Sequence, residues 1–174
     1  MNAAWQAAGH TGKLLAFSID DDAMMVWLTD RSAAAAAFAK NFLAGYAGTG
    51  NDITGAPRSY TAAGLAEIYA GADAAAFVGV PAGDARVPDL IGVTQPGVVY
   101  TGKKSKIAEH GGNAPADRDV PILVAGAGVE HPRAVSTPVQ TAQIAPSILS
   151  LLGLNPDQLQ AVQAEHTAVL PTLG

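Results

Sequence analysis

Three late segments in a fixed order constrain the fold more than any other feature of this chain. A glycine-flanked histidine, His110-Gly-Gly112, precedes an apolar run over residues 120–128, and a further apolar segment covers residues 141–153. The near-continuous apolar character of residues 120–124 predicts a strand that is covered on both faces. The last segment predicts a helix, because one face carries Ile144, Ile148, Leu149 and Leu152. A buried strand followed by a helix indicates the α/β fold class.

The start of this last helix is constrained by a proline. Thr141 is a suitable N-cap, but Pro146 would then lie near the end of the first turn, where its missing N–H begins to matter. We therefore expect a distorted first turn or a helix that starts closer to Ala145. After Pro156, the pattern predicts helical character through Val162 and irregular structure beyond it.

The first part of the chain predicts a β-hairpin. Residues 14–19 and 23–28 are rich in apolar and β-branched residues, and Asp20, Asp21 and Asp22 lie between them. Asp tolerates turn conformations and keeps the tip of a hairpin hydrated. The three carboxylates lack the Gly and the distal Glu of an EF-hand loop, so we interpret them as a solvated turn rather than as a calcium site.

An alanine-rich helix is predicted from residue 33 to about Tyr46. Asp30 or Ser32 is suited to cap its start, Gly45 and Gly48 are suited to end it, and its apolar stripe consists of Phe38, Phe42 and Leu43. The high helix propensity of alanine accounts for the biased composition at residues 33–37.

The middle of the chain alternates between turn-forming and apolar stretches. Residues 48–61 contain Gly, Asn, Asp and Pro and predict a loop, and residues 61–69 predict a shorter helix. Short apolar segments at residues 75–80, 89–93 and 98–100 predict strands limited in length by neighbouring prolines. Before residue 74, the predicted order is strand, strand, helix, loop, helix. This order is typical of an α+β lobe.

Composition excludes several classes of protein. Hydrophobic residues make up 49% of the 174 residues and charged residues 14%, which favours a globular fold over disorder. The formal charge of −5 argues against a surface for a nucleic-acid duplex, and we interpret the one basic cluster, Lys103, Lys104 and Lys106, as a solvated loop. No apolar run reaches the length of about 20 residues that a membrane span requires. No signal peptide is visible, cysteine is absent, and the compartment stays unassigned.

His110 is the leading candidate for a functional residue. A neutral imidazole is the commonest metal ligand in proteins, and the glycines beside it permit backbone conformations and close approaches that other residues forbid. The neighbouring Glu109 either orients the ring or faces solvent. A His-Gly-Gly triplet taken alone is more typical of an ordinary loop histidine than of a metal ligand.

Other candidates for chemistry are weaker. His10 follows a glycine near the start, His131 precedes a proline, and His166 lies in a polar tail. No Gly-x-Ser-x-Gly segment exists to place a serine nucleophile on a strained turn. Gly126-Ala-Gly128 follows the predicted strand but is too short for a dinucleotide-binding fingerprint.

Several motifs together resemble the C-terminal part of the nucleotide pyrophosphatase/phosphodiesterase branch of the alkaline phosphatase superfamily. In chain order they are Arg86-Val-Pro-Asp-Leu90, residues 106–112, the Asp-Arg-Asp loop at 117–119, the apolar run from Val120, residues 143–154 and the closing Glu165-His-Thr-Ala-Val-Leu-Pro171. The hairpin with Asp21-Asp-Ala-Met-Met-Val-Trp-Leu28 is similar to the small cap inserted in bacterial members of this branch. The resemblance implies an α+β cap lobe over residues 1–73 and the C-terminal part of an alkaline-phosphatase-like α/β core sheet over residues 74–174.

The resemblance also implies a chemistry. Members of this branch hydrolyse phosphate esters through a Thr or Ser nucleophile and two divalent metals, usually zinc, which clamp the attacking and leaving oxygens. The family's late His-Gly motif maps onto His110, which the resemblance identifies as one metal ligand. The nucleophile and the remaining ligands have no counterpart in this chain, so we assign no catalytic residue and expect at most weak metal binding and no activity of the chain alone.

Two further hypotheses stay open. One is a stand-alone, non-catalytic binding or interaction module on the same scaffold. The other is one half of a split hydrolase whose complementary N-terminal half is a separate polypeptide. A portion of a larger fold is expected to expose an unpaired sheet edge and apolar surface, which favours homo-oligomers, whereas a self-contained module is not.

Overall fold

A computed structural model describes residues 1–102, 106, 108–127, 129, 133–171 and 173. The chain forms two compact units, Met1–Val120 and Pro121–Gly174.

The first unit is built on a four-stranded antiparallel sheet. Its strands are β1 (Leu15–Asp20), β2 (Ala23–Leu28), β5 (Leu65–Ala70) and β6 (Leu90–Thr94), in the order β1-β2-β6-β5. The short strands β3 (Gly48–Asn51) and β4 (Pro57–Tyr60) form a separate antiparallel hairpin.

Helices α2 (Ala33–Gly45) and α3 (Ala72–Phe77) pack on this sheet. The first unit contains α1 (Asn2–Ala7), α2 (Ala33–Gly45), α3 (Ala72–Phe77) and α4 (Pro115–Arg118), and the second contains α5 (Ile144–Leu151) and α6 (Gln160–Glu165). The predicted mixture of helix and sheet is confirmed at this level. None of the helices within the described ranges is long and apolar enough to cross a membrane.

The main core lies on one face of the sheet. Side chains alternate between faces along a strand, so Val26 and Leu28 of β2 point to the same side as Leu90 of β6. There they pack with Trp5 of α1 and with alanines and Leu43 of α2. A smaller cluster on the opposite face consists of Ala74, Ala75, Val87 and Ile91.

Several local predictions are confirmed. The hairpin β1-β2 and the strand β6 lie where the apolar patterns predicted them, and helix α2 begins after Ser32, whose side chain accepts a hydrogen bond from the Ala35 N–H at 3.2 Å. The last helix starts with a 3-10 turn, Thr141–Gln143, and becomes α-helical at Ile144, as the position of Pro146 requires. Helical structure also follows Pro156.

Three predictions in the middle of the chain are wrong. Residues 48–61 form the hairpin β3-β4 rather than a loop. Residues 61–69 form a short 3-10 turn and then strand β5, because Ala62, Ala63 and Gly64 all have positive φ values and the following residues pair with β6. Residues 75–77 belong to α3, where the alanines favour a helix over the predicted strand, and residues 78–80 follow its end.

The predicted buried strand at residues 120–124 is also wrong. These residues form no strand, and Leu123 is 92% exposed. The sheet of the first unit is antiparallel throughout, and its four strands are supplied by other segments. Residues 98–100, predicted as a strand, are likewise not part of it.

The sheet combines segments from both sides of residue 73, because β6 pairs with β2 and with β5. The assignment of residues 1–73 to a cap lobe and of residues 74–174 to an alkaline-phosphatase-like core concerns the complete parent enzyme and stays a prediction.

Candidate functional site

His110 lies in the long segment between β6 and α4. Its side chain is 99% exposed, so both ring nitrogens reach solvent. The next residue, Gly111, has a φ of +103°, a region that residues with a side chain rarely adopt. The glycine therefore provides the backbone freedom expected at this position and lets the chain turn away directly after the histidine.

Glu109 is the nearest ionic neighbour of the His110 ring. Its Oε1 lies 3.3 Å from His110 Nε2 and accepts a hydrogen bond of 3.1 Å from the backbone N–H of His110. The other oxygen, Oε2, contacts the ammonium group of Lys106. This ammonium contact, followed by the backbone hydrogen bond, holds the pKa of the Glu109 carboxyl below its usual value. Glu109 thus stays ionised and orients toward the imidazole.

Lys106 connects this segment to the acidic turn of the first hairpin. Its Nζ lies 2.7 Å from Oδ1 of Asp21 while it also contacts Glu109. The two carboxylates raise the pKa of Lys106, with the hydrogen bond to Asp21 as the larger cause. Lys106, which was predicted to lie in a solvated loop, therefore bridges two carboxylates. The other two lysines of the basic cluster, Lys103 and Lys104, lie outside the described residues.

The acidic turn is held in place by more than this ion pair. Tyr100 donates its backbone N–H to the Asp21 carbonyl at 2.9 Å, and the Thr94 hydroxyl donates to the Asp22 carbonyl at 2.9 Å. The turn was predicted to be only solvated. It is instead anchored to the end of β6 and to Tyr100, and its carboxylates lie beside Lys106 and Gly112.

Gly112 lies where two further carboxylates approach the backbone. A Cβ atom at this position would lie 2.8 Å from Cγ of Asp117 and 3.0 Å from Oδ2 of Asp22. The Asp117 carboxylate accepts the Ala114 N–H at 3.0 Å and so closes the start of the short helix α4. The second glycine of the triplet therefore allows the close approach of these carboxylates and does not have a positive φ.

The donor types around His110 are those that zinc accepts, because imidazole and carboxylate are both zinc ligands. Nevertheless, no three His, Asp or Glu side chains within the described ranges are placed to hold one metal ion together. Glu109 and Asp21 are engaged with Lys106. The role of His110 as a metal ligand remains a prediction.

The other histidines occupy different environments. The ring of His10 stacks on Trp5 with 3.4 Å between centroids. His166 ends α6 in the left-handed region, with a φ of +53°, and is exposed. His131 lies outside the described residues, as does Gly128 of the short glycine motif.

An ion pair with a buried carboxylate, that of Asp89, was not anticipated from the sequence. Asp89 accepts the Leu28 N–H at 2.7 Å and Arg31 Nε at 2.7 Å, and the Arg31 guanidinium also donates to the carbonyls of Ala85 and Val87. The only sequence signal was the position of Asp89 directly before an apolar strand. Its partners come from residues about 60 positions earlier, so their proximity follows from strand pairing.

An open depression lies between α2, β5 and α3. Tyr69 and Phe77 stack along it with ring centroids 4.5 Å apart, and Lys40, Glu67 and Asp73 lie at its rim. The Tyr69 hydroxyl donates to Glu67, which raises the pKa of this phenol. The depression combines groups of both charges.

Comparison of the chain with protein-family models, with curated proteins and with solved structures finds no match. The fold and these side chains define a mixed α/β protein with a four-stranded antiparallel sheet and an exposed loop histidine beside a carboxylate.

Proposed function

We propose that this chain is a C-terminal portion of a metal-dependent phosphodiesterase or phosphatase and contributes His110 as a metal ligand. The observation that carries the proposal is the setting of this imidazole. It stands fully in solvent on a glycine-containing turn, with the Glu109 carboxylate 3.3 Å from its Nε2. A histidine that binds a metal ion together with residues from the rest of the enzyme has to be accessible in this way.

The carboxylate beside the ring suits this role. Histidines that bind metals commonly interact through the other ring nitrogen with a carboxylate, which fixes the ring and raises its basicity. In that arrangement Glu109 would engage one nitrogen of His110 and leave the other for the metal. Lys106 keeps Glu109 ionised and in place through its ammonium contact.

Divalent metals, usually zinc, would supply the clamp on the transferring phosphoryl group when bound in the complete enzyme. This chain's own contribution is one imidazole and the carboxylate that orients it. A zinc site needs three or four protein ligands, so the chain alone binds the ion weakly and does not turn over phosphate esters. The substrate in the complete enzyme is a phosphate ester.

Exposed apolar surface supports a portion of a larger assembly, whether within one polypeptide or as one half of a split hydrolase. In the second unit, Leu123, Ile148 and Leu152 are all exposed. Apolar surface of this kind is typical of interfaces rather than of isolated monomers.

A second candidate, a stand-alone non-catalytic binding module, is favoured by a different observation. The first unit has a closed core in which Leu14, Val26 and Leu90 are fully buried. In the described ranges, every buried side-chain nitrogen or oxygen has a hydrogen-bond partner. Such a module requires neither a metal nor His110.

Zinc titration by calorimetry separates the two candidates. For the phosphoesterase portion we expect weak zinc binding that His110→Ala lowers at least about tenfold, with no hydrolysis of an aryl phosphate ester by the chain alone. The matched control is His10→Gln, since that ring is engaged with Trp5 and its loss should leave zinc affinity unchanged. Equal zinc affinity in His110→Ala, or hydrolysis at enzymatic rates that survives this substitution, would overturn the proposal.

A further inference from the structure

Strand β1 forms an edge of the four-stranded sheet. It pairs with β2 on one side, and the sheet order places no described strand on its other side. Helix α1 blocks pairing at the start of β1. The Asn2 side chain of this helix accepts hydrogen bonds from the backbone N–H groups of Leu14 at 3.0 Å and Leu15 at 2.8 Å. The open part of the edge therefore runs over residues 16–20.

The opposite edge of the same sheet is more protected. Strand β5 is flanked by contacts with α2 and α3, and the Gln95 side chain donates to the Leu65 carbonyl at 3.1 Å. The two edges thus differ, and β1 is the one suited to pair with another strand.

Most of the open edge lacks the usual protection against pairing. Native edges are commonly blocked by Lys, by Pro, by inward-pointing charges or by β-bulges. Residues 17–19 contain neither Lys, Pro nor a charge, and the irregularity of this strand lies before them. A register irregularity lies between Leu15 and Phe17, so the strand is regular from Phe17 onward. The exposed apolar side chains on it are Phe17, which is 56% exposed, and Ile19, which is 44% exposed.

These two side chains extend an apolar strip on the face opposite the main core. Phe17 pairs across the sheet with Trp27, at 5.5 Å between ring centroids, and Ile19 pairs with Met25. The strip therefore continues from the β1 edge onto β2.

We infer that two copies of this chain associate through antiparallel pairing of β1 with β1 of the second copy, centred on Ser18. Only this centre pairs all of residues 16–20 with one another. It sets Phe17 of each copy against Ile19 of the other and Asp20 against Ala16. The two sheets then form one continuous eight-stranded sheet with a shared apolar strip.

Self-complementarity favours a second copy as the occupant. In the Ser18-centred register, each exposed Phe17 meets an exposed Ile19, and Asp20, the one charged residue of the paired segment, lies opposite Ala16, twice by symmetry. No like charges lie directly opposite each other along the paired residues, although the chain carries a formal charge of −5. This inference is independent of the proposed hydrolase function, because neither His110 nor a metal takes part in it.

The absence of cysteine from the sequence makes a crosslinking test specific. Directly opposed residues in an antiparallel pair have Cα atoms about 4.5 to 5.5 Å apart, within the range of about 4.4 to 6.8 Å that a disulfide spans. A Ser18→Cys chain should therefore form a covalent dimer under a mild oxidant. The matched control is Ala16→Cys, whose two copies would lie about 13 Å apart along the strands and should not crosslink.

Sedimentation velocity over a concentration series provides the second measurement. We expect a reversible dimer of twice the chain mass of 17.6 kDa. Phe17→Lys should raise the dimer dissociation constant about tenfold or more, because it places a lysine against Ile19 at two symmetric positions. Adding Ile19→Glu to that variant should restore the dimer, since each introduced lysine then meets an introduced glutamate of the other copy.

Ile53→Lys is the control for introducing a charge at an exposed apolar position, because Ile53 is 76% exposed in the separate hairpin. It should leave the dimer intact. The inference is overturned by a monomer at every concentration, by a dimer that Phe17→Lys does not weaken, or by failure of Ser18→Cys to crosslink more than Ala16→Cys. Circular dichroism of each variant verifies that the fold is retained.

Discussion

The guanidinium of Arg31 and the carboxylate of Asp89 form an ion pair of 2.7 Å that joins the end of the first hairpin to the start of β6. The side chain of Asp89 is 8% exposed and that of Arg31 is 42% exposed. The same carboxylate accepts the backbone N–H of Leu28 at 2.7 Å. The buried Asp89 carboxylate therefore accepts hydrogen bonds from both the backbone at the end of β2 and the Arg31 guanidinium.

Replacing Asp89 with Ala should lower the free energy of unfolding by about 2 to 4 kcal/mol, because the Leu28 N–H and the Arg31 guanidinium lose a buried, charged acceptor. Urea denaturation followed by circular dichroism measures this difference. Asp84→Ala is the control, since Asp84 pairs with the largely exposed Arg86 and should change stability little. Equal effects of the two substitutions would contradict the assignment.

Tyr100 should make stability depend on alkaline pH. Its hydroxyl donates to the Ala63 carbonyl at 2.6 Å, and burial, as the largest cause, raises its pKa to about 12 from the ordinary value of 10.0. Because the folded state favours the neutral phenol, this contribution is complete below pH 10.0 and is lost as the pH rises through about 12.

The measurement compares the unfolding free energy of the wild-type chain with that of Tyr100→Phe from pH 8 upward. At pH 8 the variant should be less stable by about 1 kcal/mol, the typical net contribution of one hydrogen bond. The difference should narrow above pH 10.0, where the unfolded phenol ionises. A constant difference across this range would show that the phenol titrates alike in both states.

Lys106 should control the ionisation of Glu109. Lys106→Met removes the ammonium group, which is the main cause of the lowered pKa, so the pKa of the Glu109 carboxyl should rise toward its ordinary value. Carbon-13 NMR titration of the glutamate carboxyls measures the shift. The control Lys40→Met, at the separate depression beside β5, should leave the Glu109 titration unchanged.

The sign of the linked stability change follows from the lowered pKa. In the wild-type chain the contact between Lys106 and Glu109 is complete above the ordinary carboxyl pKa of 4.5 and is lost as the pH falls through the lower folded value. The variant should lack this acid dependence. An unchanged Glu109 titration in Lys106→Met would mean that the ammonium contact is not formed in solution.

Local sequence patterns predicted the elements whose signals are contained within the element. The β1-β2 hairpin has two apolar strands and an acidic turn, and α2 has alanines, a Ser32 cap and a terminal glycine. Pro146 likewise predicted the 3-10 start of the last helix. In these segments, propensity and capping agree with the tertiary context.

Patterns failed where pairing partners decided the conformation. Residues 65–70 have a composition that a helix also accepts, and pairing with β6 makes them a strand. The apolar run at residues 120–124 matches a buried strand in composition, but an apolar run forms a strand only where neighbouring strands accept its backbone hydrogen bonds.

The candidate site shows the same division. The glycines beside His110 predicted an unusual backbone conformation and a close approach. Gly111 has the positive φ, and Gly112 allows the close approach of two carboxylates. The sequence by itself determined this local chemistry, the hairpin and the capped helices, because each depends on residues a few positions apart. Only the tertiary structure decided that Lys106 bridges Asp21 and Glu109 and that Asp89 meets Arg31, because strand pairing brings together groups separated by tens of residues.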